Sequence, residues 1–332
     1  MHAEPGAAEP LRVQVLPGEP PGDLADLART AAGSFFHTPA WLQAVRVADP
    51  RLEPRVIVAR DVRGSLQAAC PLLAVRRLGT TRLYSGAFGT YGGIVARTPL
   101  AARAVRQCLE SLARGRGVLL LRVHDFAASL RASGADLSDW SQHTETCQVL
   151  DLPGDPAVLF RDAFTAQNRN KIRKAEKQGV QVRRAHDAAA LHLYAALYAD
   201  TARRWRSRKS LPEEFFLALA AAPFGVDVWI AERDGEHLAA LLNFTCGGQI
   251  MNWGNVSRRQ AWNLSPNNLL HWRALQAACE DGGGPRLYNL GSSAGLPGVE
   301  TFKSAFGARL HAYPRLEHSP GLVAWWRRRL GR

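Results

Sequence analysis

The chain lacks most of the patterns that announce a particular chemistry. Its five cysteines, Cys70, Cys108, Cys147, Cys246 and Cys279, are scattered and form no CxxC pair. This odd, dispersed set argues against a disulfide framework and a structural zinc site, and it suits a reducing, cytoplasmic compartment. The ten histidines show no HExxH or other ligand spacing, so no metal is expected. Ser85-Gly86 and Ser292-Ser293 lack the GxSxG frame of an activated serine. Neither GxGxxG opening a helix after a strand nor GxxxxGK[ST] occurs, which leaves dinucleotide binding and nucleotide hydrolysis unsupported. No apolar run approaches the ~18 residues of a spanning helix. Met1 to Gly6 offers no basic or apolar leader, so no secretory signal is expected. What survives are reactions that need positioning and electrostatics but no covalent enzyme intermediate.

What the chain does have is positive charge. Its 332 residues carry 42 Lys and Arg against 29 Asp and Glu, a formal net charge of +13. Such a balance favours polyanionic partners: nucleic acid, phosphorylated carriers or anionic lipid. The length suits about two domains.

Residues 1–22 are rich in Pro, Gly and Ala and read as a loose segment. Thr38-Pro39 starts a helix, with Thr38 as cap. Strands are expected over 55–60, 66–75, 82–95 and 118–123, with a helix over 100–114 stopped by Gly115. The order returns about 170 residues later: strands over 226–232, 238–245 and 249–256, a helix from Ser265-Pro266 to about Glu280 stopped by Gly282–Gly284, and a strand over 286–290. This reads as two copies of one α/β unit, residues 23–155 and 156–320. A basic connecting helix, 156–179, precedes the second copy, and a basic aromatic tail, 321–332, follows it.

The basic helix carries Arg169, Lys171, Arg173, Lys174 and Lys177 within about two and a half turns. Arg169 and Arg173 share a face at spacing four, where like charges repel unless an anion lies beside them. Arg203 to Lys209 places five cations, including Arg204 and Arg206, around Trp205. That cluster suits phosphate with room for stacking. Both runs are candidates for substrate binding, against the plainer reading of solvated helix faces. Ser265, read as the cap, opens with Asn267 and Asn268 a helix whose first-turn N–H groups attract an anion. Together with the strand residues Asn252, Trp253, Gly254 and Asn255 they are the expected donor-binding set. Lys303, between Phe302 and Phe306, is suited to a phosphate or to negative charge developing at an acyl carbon. The plainer reading is a lysine stem packed on phenylalanine. The tail Gly321–Arg332, with its Trp pair and arginines, either docks on the protein or lies peripherally on an anionic inner membrane face.

Three stretches together resemble FemAB-like, BioF2-like acetyltransferases of the GNAT superfamily. They are Phe35-Phe36-His37-Thr38-Pro39-Ala40-Trp41, the run Asn168–Val180, and Tyr288-Asn289-Leu290-Gly291 with Gly298–Gly307. The resemblance implies tandem GNAT-like domains, each a mixed twisted sheet flanked by helices. It implies transfer of an acyl group from acyl-CoA, or an aminoacyl group from aminoacyl-tRNA, to an amine or hydroxyl. The acceptor in such proteins is often a cell-envelope or polysaccharide precursor. Lys303 matches the lysine that handles the donor and stabilises charge there, and Arg169 and Arg173 match basic positions near an acceptor cleft between the domains. Tyr288 and Glu300 are candidate general bases by position only. No permanently bound cofactor is expected. Two readings stand beside acyl-CoA-dependent transfer: aminoacyl-tRNA-dependent transfer onto a peptidoglycan precursor, and a non-catalytic polyanion-binding scaffold on the same fold.

Overall fold

A computed structural model describes residues 10–204, 210–281 and 284–321. The chain divides into two compact units. One comprises the residues up to Leu42, Asp49–Glu145 and those from Tyr313 on; the other comprises Gln43–Ala48 and Thr146–Ala312.

The elements of the first half, in order, are β1 (Arg12–Pro17), α1 (Leu24–Thr30), α2 (Pro39–Ala48), β2 (Glu53–Arg60), β3 (Leu66–Arg77), β4 (Thr80–Tyr84), β5 (Val95–Ala96), α3 (Pro99–Ala113), β6 (Val118–His124), α4 (Ser129–Ala132) and β7 (Ser141–Asp151). In the first unit β1, β2, β3 and β4 pair antiparallel in sequence order, and β4 pairs β6 in parallel. The far edge of β6 is covered antiparallel by Arg315 to His318 of the chain's last strand. Thr98 caps α3 by accepting from Ala101 N at 3.2 Å, with Pro99 in the first turn. Ala101, Val105, Leu109 and Ala113, spaced four apart, bury one face of that helix. They pack on Ile57, Cys70, Leu72, Leu121 and Val123 of the sheet.

The second half continues with α5 (Pro156–Val158), α6 (Ala166–Lys177), β8 (Gln181–Ala185), α7 (Ala188–Arg204), α8 (Glu213–Ala218), β9 (Val226–Arg233), β10 (Glu236–Cys246), β11 (Gln249–Ser257), α9 (Pro266–Glu280), β12 (Leu287–Asn289), α10 (Pro297–Ser304) and β13 (Arg309–His318). In the second unit β8, β9, β10 and β11 are antiparallel neighbours, β12 lies parallel to β11, and Val149 to Asp151 pair antiparallel with β12. Ile172, Leu241, Leu270, Leu275, Tyr288 and Phe306 form its core. Both units are mixed sheets flanked by helices, and both repeat the order hairpin, strand, helix, parallel strand.

The structure corrects four sequence expectations. Residues 1–22 are not uniformly loose: Arg12–Pro17 is an edge strand against β2, because Val13 and Val15 pack on the core of the first unit while Arg12 and Gln14 face out. The second boundary is not at 155/156. Thr146–Asp151 pairs with β12 and so belongs to the second unit, whereas Tyr313–His318 returns to the first. The basic connecting helix is not continuous over 156–179. It breaks at Phe164 and Thr165 after one π-helical turn, and Thr165 recaps α6 by accepting from Asn168 N at 3.2 Å. Ser265 does not cap α9 with its side chain, since it sits left-handed at φ 55°. Of the glycine stop, Gly282 and Gly283 lie outside the described residues.

Candidate active site

In the second unit β11 and β12 begin as neighbours and then part. Gln249, Ile250 and Met251 pair with Leu287, Tyr288 and Asn289, and there the ladder ends. β11 runs six residues further, to Ser257, paired only with β10. Its register shifts between Leu242 opposite Gly254 and Asn243 opposite Asn252, which makes Trp253 a β-bulge. The edge of Asn252–Ser257 turned from β10 therefore offers backbone groups without a strand partner among the described residues.

Beside this edge α9 begins. A short 3-10 segment, Arg259–Leu264, joins it to β11, and Ser265 N closes the turn on Trp262 O at 3.1 Å. No side chain caps the helix. Its first turn is anchored laterally: Asn268 Nδ2 donates to Asn168 Oδ1 at 2.8 Å, and Asn168 Nδ2 donates to Ala305 O at 3.1 Å. Asn168 thus ties α6 to the start of α9 and the end of α10.

Where the backbone ladder stops, side chains take over. Asn252 Nδ2 donates to Asn243 Oδ1 at 3.0 Å, and the Tyr288 hydroxyl donates to the same oxygen at 3.3 Å. His271 of α9 contacts Tyr288 through Nδ1 at 3.4 Å and Asn255 through Nε2 at 2.8 Å. His271 and Tyr288 are fully buried. Burial, reinforced by the Lys303 charge, lowers the His271 pKa to about 3, so the ring is neutral. Burial also pushes the Tyr288 phenol well above its ordinary range. Tyr288 therefore keeps its proton and donates it to Asn243 Oδ1. Trp253 packs with Phe215 at 5.8 Å and Phe216 at 6.1 Å, and Gly254 O accepts the Tyr194 hydroxyl at 3.1 Å.

Of the cations predicted from sequence, Lys303, Arg169 and Arg204 are engaged with backbone carbonyls. Lys303, 5% exposed, donates to Gly291 O and Ser292 O, each at 2.9 Å. Burial lowers its pKa to about 8. It clamps a loop that Gln148 also holds, through Ser293 Oγ at 2.7 Å and Ser304 Oγ at 2.9 Å. Arg169 donates to Arg161 O at 3.0 Å and to Phe164 O, sealing the break before α6. Arg204 donates to Ser257 O at 2.6 Å and Thr201 Oγ1 at 3.0 Å. Arg173 lies over the Phe160 ring at 5.7 Å and is exposed, as are Lys171, Lys174 and Lys177. Glu300 is exposed in the first turn of α10 and gives its backbone oxygen to Gln148. Arg206 lies outside the described residues. Among the described residues no cluster of side chains could hold a metal ion.

Sequence reasoning missed His271, Asn243 and Asn168. A histidine on a buried helix face gives no motif, and the only available signal was an unusual count of polar residues within apolar strands.

The comparisons with known proteins agree with this architecture. Residues 163–304 match the acetyltransferase (GNAT) domain family. No curated protein matches the sequence. Among solved structures the fold is similar to FemX, with TM-score 0.70 and 14% identity over 92% of this chain and 96% of that one. It is also similar to the C-terminal domain of a putative lysylphosphatidylglycerol synthetase from Agrobacterium fabrum, with TM-score 0.59 and 13% identity over 91% and 92%. A third likeness is to L-PGS from Bacillus licheniformis, with TM-score 0.54 and 12% identity over 93% and 95%. The match identifies an acetyltransferase (GNAT) domain over residues 163–304, and with it an acyltransferase.

Proposed function

We propose that the protein transfers an acyl group from acyl-CoA to an amine or hydroxyl of a cell-envelope or polysaccharide precursor. The observation that carries this reading is the open edge of Asn252–Ser257 beside the uncapped start of α9. Unpaired strand N–H groups can align an acyl-bearing arm, and the first turn of a 15-residue helix can meet its phosphates. The acceptor attacks the thioester carbonyl directly, and thiolate leaves with the proton the acceptor gives up. Lys303 and Gln148 shape the Gly291–Leu296 loop next to β12, so Lys303 acts on this site through the loop it clamps. One of the similar folds belongs to a putative lysylphosphatidylglycerol synthetase, which supports an envelope acceptor.

The test is direct. The wild-type protein should be stabilised thermally by CoA and release free thiol from acetyl-CoA in the presence of an amine panel. No stabilisation and no thiol release would defeat the reading. A scaffold would bind polyanions without consuming acyl donor.

One observation favours aminoacyl-tRNA as the donor instead. Lys171, Arg173, Lys174 and Lys177 are exposed along α6, while its acid, Glu176, pairs with Arg273 at 3.0 Å. A tRNA user would bind RNA with a steep salt dependence and ignore CoA. Peripheral membrane contact through 321–332 falls outside the described residues beyond Gly321. Among the described residues no helix is long and apolar enough to cross a membrane.

A further inference from the structure

Asn243 Oδ1 sets the direction of a whole chain of hydrogen bonds. A carboxamide oxygen only accepts, and this one receives Asn252 Nδ2 and the Tyr288 hydroxyl proton. With its proton so placed, the Tyr288 oxygen accepts from His271, which puts the imidazole proton on Nδ1. Nε2 of the neutral ring is then bare and takes its bond from Asn255 Nδ2. Asn255 is left with Oδ1, buried and without a partner. Asn267 stands four residues before His271, one turn away on the same side of α9. Its Oδ1 is likewise buried and without a partner. A buried acceptor left unmade costs about 1–3 kcal/mol. One of these oxygens belongs to the residue bonded to His271, and the other lies one helical turn before it.

We propose that Asn255 Oδ1 and Asn267 Oδ1 form a receptor for uncharged N–H groups of a bound substrate, which completes the chain running from Asn252 to Asn255. The network contains no carboxylate, and the charge acting on His271 is the Lys303 ammonium. A second, uncompensated cation would be repelled, so the fitting donor is an amide or a neutral amine. Two sources present that chemistry: the secondary amides in the carrier arm of an acyl-CoA, and the attacking nitrogen of the acceptor. The receptor rests on the reading of this site as the acyl-transfer site.

The experiment compares wild type with Asn255→Leu, Asn267→Leu and Asn267→Gln, the last keeping an uncharged acceptor oxygen. Asn267 lies outside the hydrogen-bond chain, so its variants stay informative if Asn255→Leu unfolds. Calorimetry measures affinity for CoA, for adenosine 3′,5′-bisphosphate, which lacks the arm, and, at a pH above the amine's own pKa so that its nitrogen is uncharged, for glucosamine against glucose. The expected result is a CoA affinity about 3- to 10-fold weaker in each Leu variant, the scale of one lost hydrogen bond. The bisphosphate should be unaffected, and Asn267→Gln should bind CoA more tightly than Asn267→Leu does. Unchanged CoA affinity with selectively weakened glucosamine binding would assign the receptor to the acceptor. Folded Leu variants that bind both as wild type does overturn the proposal. Wild-type protein that ignores CoA sinks the donor reading, and glucosamine alone then decides the receptor. Wild type that binds neither overturns both.

Discussion

The two units place the same elements in the same order yet treat one junction in opposite ways. In the first unit the parallel pair β4 and β6 stays closed past the end of β4. Ser85 N donates to Arg122 O at 3.0 Å, Gly92 N donates to His124 O at 2.8 Å, and Gly92 bridges Asp125. The segment Ser85–Gly93 fills the space by lying against β6, which demands a close approach. A Cβ on Gly92 would stand 2.3 Å from Ser85 O. In the second unit the equivalent pair, β11 and β12, parts after three residues. Beyond that point polar side chains, and not backbone, span the gap. One unit has converted its junction into packing; the other has left hydrogen-bonding groups at an open edge. An open edge with unmade bonds is what a substrate-binding site requires.

The strongest way to break the comparison uses the buried histidine at each junction. His271 is lowered to about 3 and His37 to about 4, both chiefly by burial. The unfolded chain takes up these protons first, near pH 6.5, so stability is lost as pH falls from there towards each folded value. The His271 share is about 5 kcal/mol at most, from about 1.4 kcal/mol per pH unit. Denaturant unfolding across pH 7 to 3 should show a shallower acid slope in His271→Phe, and a smaller flattening in His37→Phe. Equal flattening in both would erase this distinction between the units.

Lys303 gives the next largest effect, with the pH axis reversed. Its folded pKa, about 8, lies below the ordinary value of 10.5. Over that interval the unfolded chain holds more protons, so stability rises with pH from about 8 to 10.5. The rise amounts to about 3 kcal/mol. Lys303→Met should abolish it while lowering turnover through the released Gly291–Ser292 loop. The same rise in the variant would show that the clamp is not the source.

The smallest effect sharpens the comparison from the other side. Gly92→Ala should cost about 2 kcal/mol by forcing Ser85 from its carbonyl contact. Thermal unfolding should register the loss, and the CoA response of folded protein should be that of wild type. A change in CoA affinity would mean that the closed junction contributes to the site.

Much of the fold was legible because it depends on local chemistry. Pro39 and Pro266 start helices where they were expected, since a missing N–H costs nothing in a first turn. The hairpin over 226–245 followed from β-branched runs around Asp234-Gly235, both at positive φ. The strand at Arg12–Pro17 was hidden by its proline-rich surroundings, because an edge strand is decided by the neighbour it meets.

The candidate site divides along the same line. Sequence alone determined that Asn252 to Asn255, Asn267 and Asn268 stand at a strand and a helix start, because helix and strand signals are short-ranged. It also determined the abundance of cations around Asn168. Only the tertiary structure decided what those groups do. Arg169, Arg204 and Lys303 close on backbone carbonyls, while His271, unmarked in the sequence, joins two strands. The physical reason is that a hydrogen bond belongs to a pair. A side chain's chemistry is written in the sequence, but whether it is left free for a substrate depends on which distant partner the fold brings within about 3 Å.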